Sequence, residues 1–231
     1  MENHRRLIIS DMDRTLVDFT SRYMDAYRIA VQEAYGFEGQ PQPHKHSGYT
    51  QAAVVRMIGE DKGLDAQVIE AGLAKALSVL SHTVISLLEH DLRYGILPGV
   101  EQVFAELQRQ GHAIALVTGT ITPIADAILA RTGLDHFFPA RACGDEAMTR
   151  PDLLRLAIRR AQDASGFQAN SANVVVLGDA VTDIEAGKAI GARVVAIATG
   201  HHTVRELAEF GADAVLPDLG DKEAALAAIL G

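Results

Sequence analysis

Leu7-Ile8-Ile9-Ser10-Asp11-Met12-Asp13-Arg14-Thr15 sets two carboxylates, one residue apart, directly after a short apolar run. Side chains alternate along a strand, so positions two apart face the same way. A strand ending in this sequence aims both acids into one crevice. There one acid can attack while the other handles protons, and both can help hold a divalent cation. Taken alone, the pair also reads as strand-end residues that cap the next helix. The rest of the chain decides between the two.

Three further stretches have the same character. Ile114-Ala115-Leu116-Val117 is a buried-strand run ending at Thr118-Gly119-Thr120, with Pro123 in the first turn of a helix. Val174-Val175-Val176-Leu177 ends in Gly178-Asp179, with Asp183 one helical turn further on. Between them Thr149-Arg150-Pro151-Asp152 precedes a helix whose Leu153, Leu154, Ala157, Ile158 and Ala161 follow the helical period. In an open parallel sheet such junctions converge at the carboxyl edge of the strands, where ligands bind. Singly, Thr118 and Asp179 can be helix caps, Asp183 a first-turn acid and Arg150 a solvated cation. Their joint occurrence in this order argues for one site.

The pattern from His112 onward alternates strand and helix: His112–Thr118 then Ile121–Thr132, Val174–Leu177 then Val181–Ile190, Arg193–Ile197 then Val204–Phe210, and Ala214–Leu216 then Lys222–Leu230. That alternation predicts a parallel sheet covered by helices. Before His112 the chain reads as helical, from Arg22 to Tyr35, from Gln51 to Ile58 and from Ala66 to about His90. In the last of these, Leu73, Leu77, Leu80, Val84 and Leu87 form one apolar stripe suited to a bundle core. Pro98-Gly99 marks the return to the core.

Hydrophobic residues make up 48% of the 231, and charged residues 22%, as in a globular protein with a substantial core. A net charge of −9 argues against nucleic-acid and anionic-membrane partners, which demand basic patches. No apolar stretch is read as approaching the roughly 20 residues that span a bilayer. The apolar run after Arg5 and Arg6 is too short for a signal peptide, so the cytoplasm is the expected compartment. Cys143, the lone cysteine, has no disulfide partner and reads as an inert core filler.

With these motifs in view, the chain resembles the haloacid dehalogenase superfamily, in its phosphatase branch and its phosphoglycolate phosphatase-like members. Asp11-Met12-Asp13-Arg14-Thr15-Leu16 matches the first motif and Val117-Thr118-Gly119 the second. Thr149-Arg150-Pro151-Asp152 lies in the register of the third, and Gly178-Asp179-Ala180-Val181-Thr182-Asp183 matches the fourth. Two departures stand out: Arg150 replaces the usual Lys, and Arg14 stands where Gly is common.

The resemblance implies a Rossmann-like α/β core, residues 1–16 and 97–231, with an inserted all-helical cap, residues 17–96. It implies a Mg²⁺-dependent phosphatase of a small phosphorylated metabolite, phosphoglycolate- or sugar-phosphate-like, acting as a monomer or homodimer. In that scheme Asp11 is the nucleophile and Asp13 the general acid and base. Asp11, Asp179 and the Asp13 backbone carbonyl hold the ion, and Asp183 orients a metal-bound water or the motif's cation. Thr118, Gly119 and Arg150 bind the phosphate, while Gly48 and Thr50, in the cap loop His46-Ser47-Gly48-Tyr49-Thr50, reach toward the leaving group. Two alternatives stay open: a phosphosugar mutase resembling beta-phosphoglucomutase, with His44, Lys45 and His46 on the sugar, and a catalytically weak binding protein on the same fold. His201-His202 reads as a loop before a helix cap, Arg155, Arg159 and Arg160 as a solvated face, and Arg56 as a possible anion contact.

Overall fold

A computed structural model describes residues 5–19, 23–42, 45 and 48–231. Arg22, His44, His46 and Ser47, named above, lie outside the described residues. Six strands form one parallel sheet: β1 (Leu7–Ser10), β2 (Ala113–Val117), β3 (Ala140–Ala142), β4 (Val174–Gly178), β5 (Arg193–Ile197) and β6 (Ala214–Leu216), in the order β3-β2-β1-β4-β5-β6. This is the α/β Rossmann-like arrangement expected from the alternating pattern.

Each strand feeds both faces of the sheet because its side chains alternate. Ile8, Ile114, Leu116, Val175, Leu177 and Val195 pack on one side. There they meet α4 (Val100–Arg109), α5 (Thr122–Thr132) and α9 (Lys222–Leu230) through Phe104, Ile124, Ile128 and Ile229. Leu7, Ile9, Ala115, Val117, Val176 and Val194 pack on the other side. They meet α6 (Arg150–Ser165), α7 (Val181–Ala189) and α8 (Val204–Glu209) through Leu153, Leu154, Ile184 and Leu207. Burial on both faces explains why these strands read as unbroken apolar runs.

Between β1 and β2 come α1 (Tyr23–Tyr35), α2 (Gln51–Asp61) and α3 (Ala66–Leu87), then α4. Thr50 caps α2, its hydroxyl accepting from Ala53 N–H, and Asp65 caps α3 by accepting from Gln67 N–H. On α3, Ile69, Ala76, Leu80 and Val84 are buried, whereas Leu87 is 42% exposed. Leu87 therefore lies off the buried stripe, exposed at the last residue of the helix while Val84 in the same turn stays buried. With 22 residues, α3 is also long and apolar enough, by length and composition alone, to cross a membrane, against the expectation that no such stretch exists. In this fold α3 packs against α1.

Candidate active site

The strands β2, β1 and β4 are neighbours, so the residues that follow them emerge side by side at one edge. Those residues are Thr118, Asp11 and Asp179. Backbone hydrogen bonds carry the sheet's register one residue further: Asp11 N–H donates to Leu177 C=O at 2.8 Å and Thr118 N–H to Ala142 C=O at 3.0 Å. Arg150 opens α6 beyond β3, where Thr149 accepts from Asp152 N–H as the helix cap. Asp183, in the first turn of α7, accepts from Ala180 N–H at 3.1 Å.

Arg150 is the electrostatic centre of this edge. Its Nε donates to Asp183 Oδ1 at 2.6 Å, its Nη2 donates to Asp11 Oδ1, and its Nη1 donates to Gly48 C=O at 3.3 Å. All three side chains are at most 9% exposed. Despite burial, which opposes its charge, Asp183 and Asp11 hold the guanidinium well above its ordinary pKa. Carboxylate oxygens of Asp11, Asp179 and Asp183 lie within 4.8 Å of one another. Burial pushes Asp11 up to about 7, with Arg150 opposing and Asp183 and Asp13 adding to the rise. Burial also raises Asp179 well above the usual carboxylate range, with help from Asp11 and Asp183. One guanidinium thus faces three buried carboxylates and cannot balance them all when they are ionised. Hard oxygen donors with uncompensated charge fit a hard divalent cation. Asp13 contributes no side-chain oxygen to this group.

Asp13 is held instead by hydroxyls. Thr120 donates to its Oδ2 at 2.7 Å, Thr118 to the same oxygen at 3.4 Å, and Tyr23 to its Oδ1 at 3.1 Å. Burial raises the Asp13 pKa, and the hydrogen bonds from Thr120, Tyr23 and Thr118 pull the other way. Burial lifts the Tyr23 phenol well above its usual range, so it stays a donor. Thr118 is fully buried and accepts from Thr120 N–H, whereas Gly119 and Thr120 line the open space.

That space is a cavity of about 400 Å³ lined by residues of the sheet edge and of the helical insertion, including Asp11, Asp13, Arg14, Tyr23, Gly48, Gln51, Gly119, Arg150, Asp179 and His201. The insertion meets the edge without slack. A Cβ on Gly48, whose φ is +76°, would stand 1.8 Å from Thr182 Oγ1, and one on Gly119 would stand 2.5 Å from Tyr49 C=O. Gln51 N–H donates to Gly119 C=O, and Gln51 Oε1 accepts from Ile121 N–H at 3.0 Å. The bond from Ile121 fixes the amide orientation and leaves Gln51 Nε2 buried without a partner. Thr50, expected at the leaving group, spends its hydroxyl on the helix cap, and its neighbour Gln51 lines the cavity.

Arg14 takes φ +61°, the left-handed region that glycine enters freely and arginine does not. Its carbonyl accepts from the Thr199 hydroxyl. Arg56 pairs with Glu70 at 2.5 Å and Lys45 with Asp61 at 2.6 Å, and neither lines the cavity. Arg160 is not simply solvated, since it binds Arg141 C=O and Glu146. Cys143 is buried, and burial pushes its thiol up to about 12, as suits a core filler.

Fold and site together define a Rossmann-like α/β protein with a carboxylate-rich crevice at the strand ends. The haloacid dehalogenase-like hydrolase family model matches residues 5–191, and the chain belongs to that family. It is 27% identical over 224 residues to a phosphoglycolate phosphatase of Mesorhizobium japonicum, covering 92% of this chain and 90% of that protein. A plasmid-borne phosphoglycolate phosphatase of Cupriavidus necator is 34% identical over 125 residues, covering 54% of this chain and 52% of that protein. The crystal structure of beta-phosphoglucomutase from Clostridium difficile superposes with a TM-score of 0.78 at 15% identity, covering 97% of each chain. That likeness speaks for the fold.

Proposed function

We propose that the chain is a Mg²⁺-dependent phosphatase of small phosphorylated metabolites, phosphoglycolate- or sugar-phosphate-like, working through an aspartyl-phosphate on Asp11. The observation that carries this is the convergence of Asp11, Asp179 and Asp183 within 4.8 Å, with Arg150 paired to Asp11 and Asp183. Phosphoglycolate phosphatase relatives that align over nearly the whole chain support the substrate class.

Asp11, Asp179 and the Asp13 carbonyl would hold Mg²⁺, with Asp183 beside them. The ion would supply charge neutralisation, letting a phosphate dianion approach a carboxylate. Asp11 attacks phosphorus in line. Asp13 gives its proton to the leaving oxygen, then takes one from the water that hydrolyses the intermediate. Arg150, already between Asp11 and Asp183, offers its remaining donor capacity to phosphate oxygens, as do Gly119 and Thr120 at the start of α5. The orphaned Gln51 Nε2 suits an oxygen acceptor on the rest of the substrate.

In this reading residues 17–96 are a cap over the crevice. The two chain crossings run side by side and are tied together, which suits a hinge. Asp18 N–H donates to Gly95 C=O at 3.0 Å, Leu97 N–H donates to Leu16 C=O at 2.9 Å, and Val17 bridges to Ile96. Closing such a cap excludes water until the intermediate has formed.

The test is hydrolysis of an aryl phosphate, phosphoglycolate and a hexose phosphate with and without Mg²⁺, then with Asp11→Asn. The reading expects Mg²⁺-dependent release of free phosphate that the variant loses. Equal turnover by the variant refutes it, and a rearranged sugar phosphate in place of free phosphate points to a mutase.

A further inference from the structure

Asp13 is gripped from two sides. The loop after β2 supplies the donors to Oδ2, Thr120 at 2.7 Å and Thr118 at 3.4 Å. The donor to Oδ1 comes from elsewhere: Tyr23, at the start of α1 in the helical insertion, reaches it at 3.1 Å. Tyr23 is 7% exposed and lines the same cavity as Asp11 and Arg150. A carboxylate at a strand end turns about two side-chain bonds. Donors on one oxygen leave the plane of the group free to rotate about that anchor. A donor on the second oxygen removes that freedom.

We propose that Tyr23 is a positioning residue for Asp13, a hydroxyl carried by the insertion that fixes the carboxyl group for proton transfer to the leaving oxygen. The inference rests on the phosphatase reading and adds to it a coupling between cap and chemistry. A general acid acts only within about 2.6–3.2 Å of the atom it protonates. During transfer the Asp11 oxygen bonds to phosphorus as the bond to the leaving oxygen breaks. The proton on Asp13 passes to that oxygen, and Asp13 is left as the carboxylate that later accepts a proton from water. Tyr23 keeps its own proton throughout. With α1 displaced, Asp13 keeps its bonds to the threonines but loses its fixed plane, so the acid is competent when the insertion is seated.

The experiment compares kcat/KM for an alkyl phosphate and an aryl phosphate in wild type and Tyr23→Phe. This ratio reports steps up to formation of the aspartyl-phosphate. An alkoxide leaves poorly unless protonated, whereas a nitrophenolate needs far less help. Tyr23→Phe is expected to lower the alkyl-to-aryl ratio roughly tenfold, a part of the about 10²–10⁴ that a positioned acid contributes. In the Asp13→Asn background the same substitution is expected to leave the ratio where Asp13→Asn alone puts it. Tyr23→Met, flexible enough to fill the space without a hydroxyl, takes the place of the Phe variant should that variant fail to fold. A fall of equal size for both esters marks a merely structural role and overturns the proposal. So does a ratio change that persists undiminished without Asp13. A wild type that hydrolyses neither ester overturns the phosphatase reading itself, an outcome distinct from either.

Discussion

Replacing Arg150 with Met removes a cation that two buried carboxylates share, and the structure sets the size of the effect. The guanidinium contacts Asp183 at 2.5 and 2.6 Å as well as Asp11 and the Gly48 carbonyl. Its own side chain is 9% exposed, and those of Asp11 and Asp183 are 7% and 3% exposed, so solvent screens these pairs little. Removing one partner from a buried pair typically costs about 3–5 kcal/mol, chiefly because the remaining charge is stranded. Met fills much of the volume, which points to the lower end, about 3 kcal/mol at neutral pH. For a chain of 231 residues that is a fall in Tm of about 6–12 °C. Urea denaturation near neutral pH and again near pH 5 measures it. The loss is expected to shrink at the lower pH, where Asp11, with its pKa near 7, carries a proton and strands less charge. A loss below about 1 kcal/mol, or one that grows on acidification, refutes the shared-cation geometry.

The same carboxylates make stability depend on pH. Asp11 is raised to about 7 and Asp179 is raised well above the usual range, so the folded chain holds protons that the unfolded chain sheds above about 3.9. Their contribution is therefore largest at low pH and is lost as pH rises from about 4 through 7, where Mg²⁺ should compensate. Calorimetry should find a larger Mg²⁺-induced rise in Tm near pH 8 than near pH 5, and an equal rise at both would contradict this. Arg14→Gly relieves a left-handed backbone and should raise stability by about 1 kcal/mol net of glycine's entropy, read by thermal melting. An equivalent fall would show that the Arg14 side chain is worth more than the strain. Gln51→Leu removes the amide of a cavity-lining residue whose Nε2 is buried without a partner, and should raise KM for the preferred substrate about three- to tenfold with little change in kcat, the worth of one neutral hydrogen bond. An unchanged KM means the amide meets no substrate oxygen.

Much of the core was legible because its strands are buried on both faces and therefore spell continuous apolar runs. The strand Val174–Gly178 and the helix Lys222–Leu230 fall within a residue of their expected limits. Strand Ala140–Ala142 escaped notice because Ala-Arg-Ala has no β-branched residue and only three positions. Helix Val100–Arg109 went unread beside the stronger punctuation of Pro98-Gly99. Within the site, Asp11, Thr118, Arg150, Asp179 and Asp183 could be found because each follows a strand or opens a helix at one edge of the sheet. Tyr23 and Gln51 could not, since what places them at the cavity is how the insertion docks, a contact between segments far apart in the chain. Thr120 had a signal in the hydroxyl pair of Thr118-Gly119-Thr120, but nothing local tells which hydroxyl meets Asp13 and which also serves its own loop.

Asp11, Asp179 and Asp183 are expected to serve one divalent ion. Isothermal titration of the intact protein with Mg²⁺ near pH 8 measures this without reference to catalysis. A single binding event in the wild type, abolished by Asp179→Asn and retained by the surface variant Asp61→Asn, is the expected result. Binding of unchanged strength and stoichiometry in Asp179→Asn would contradict it.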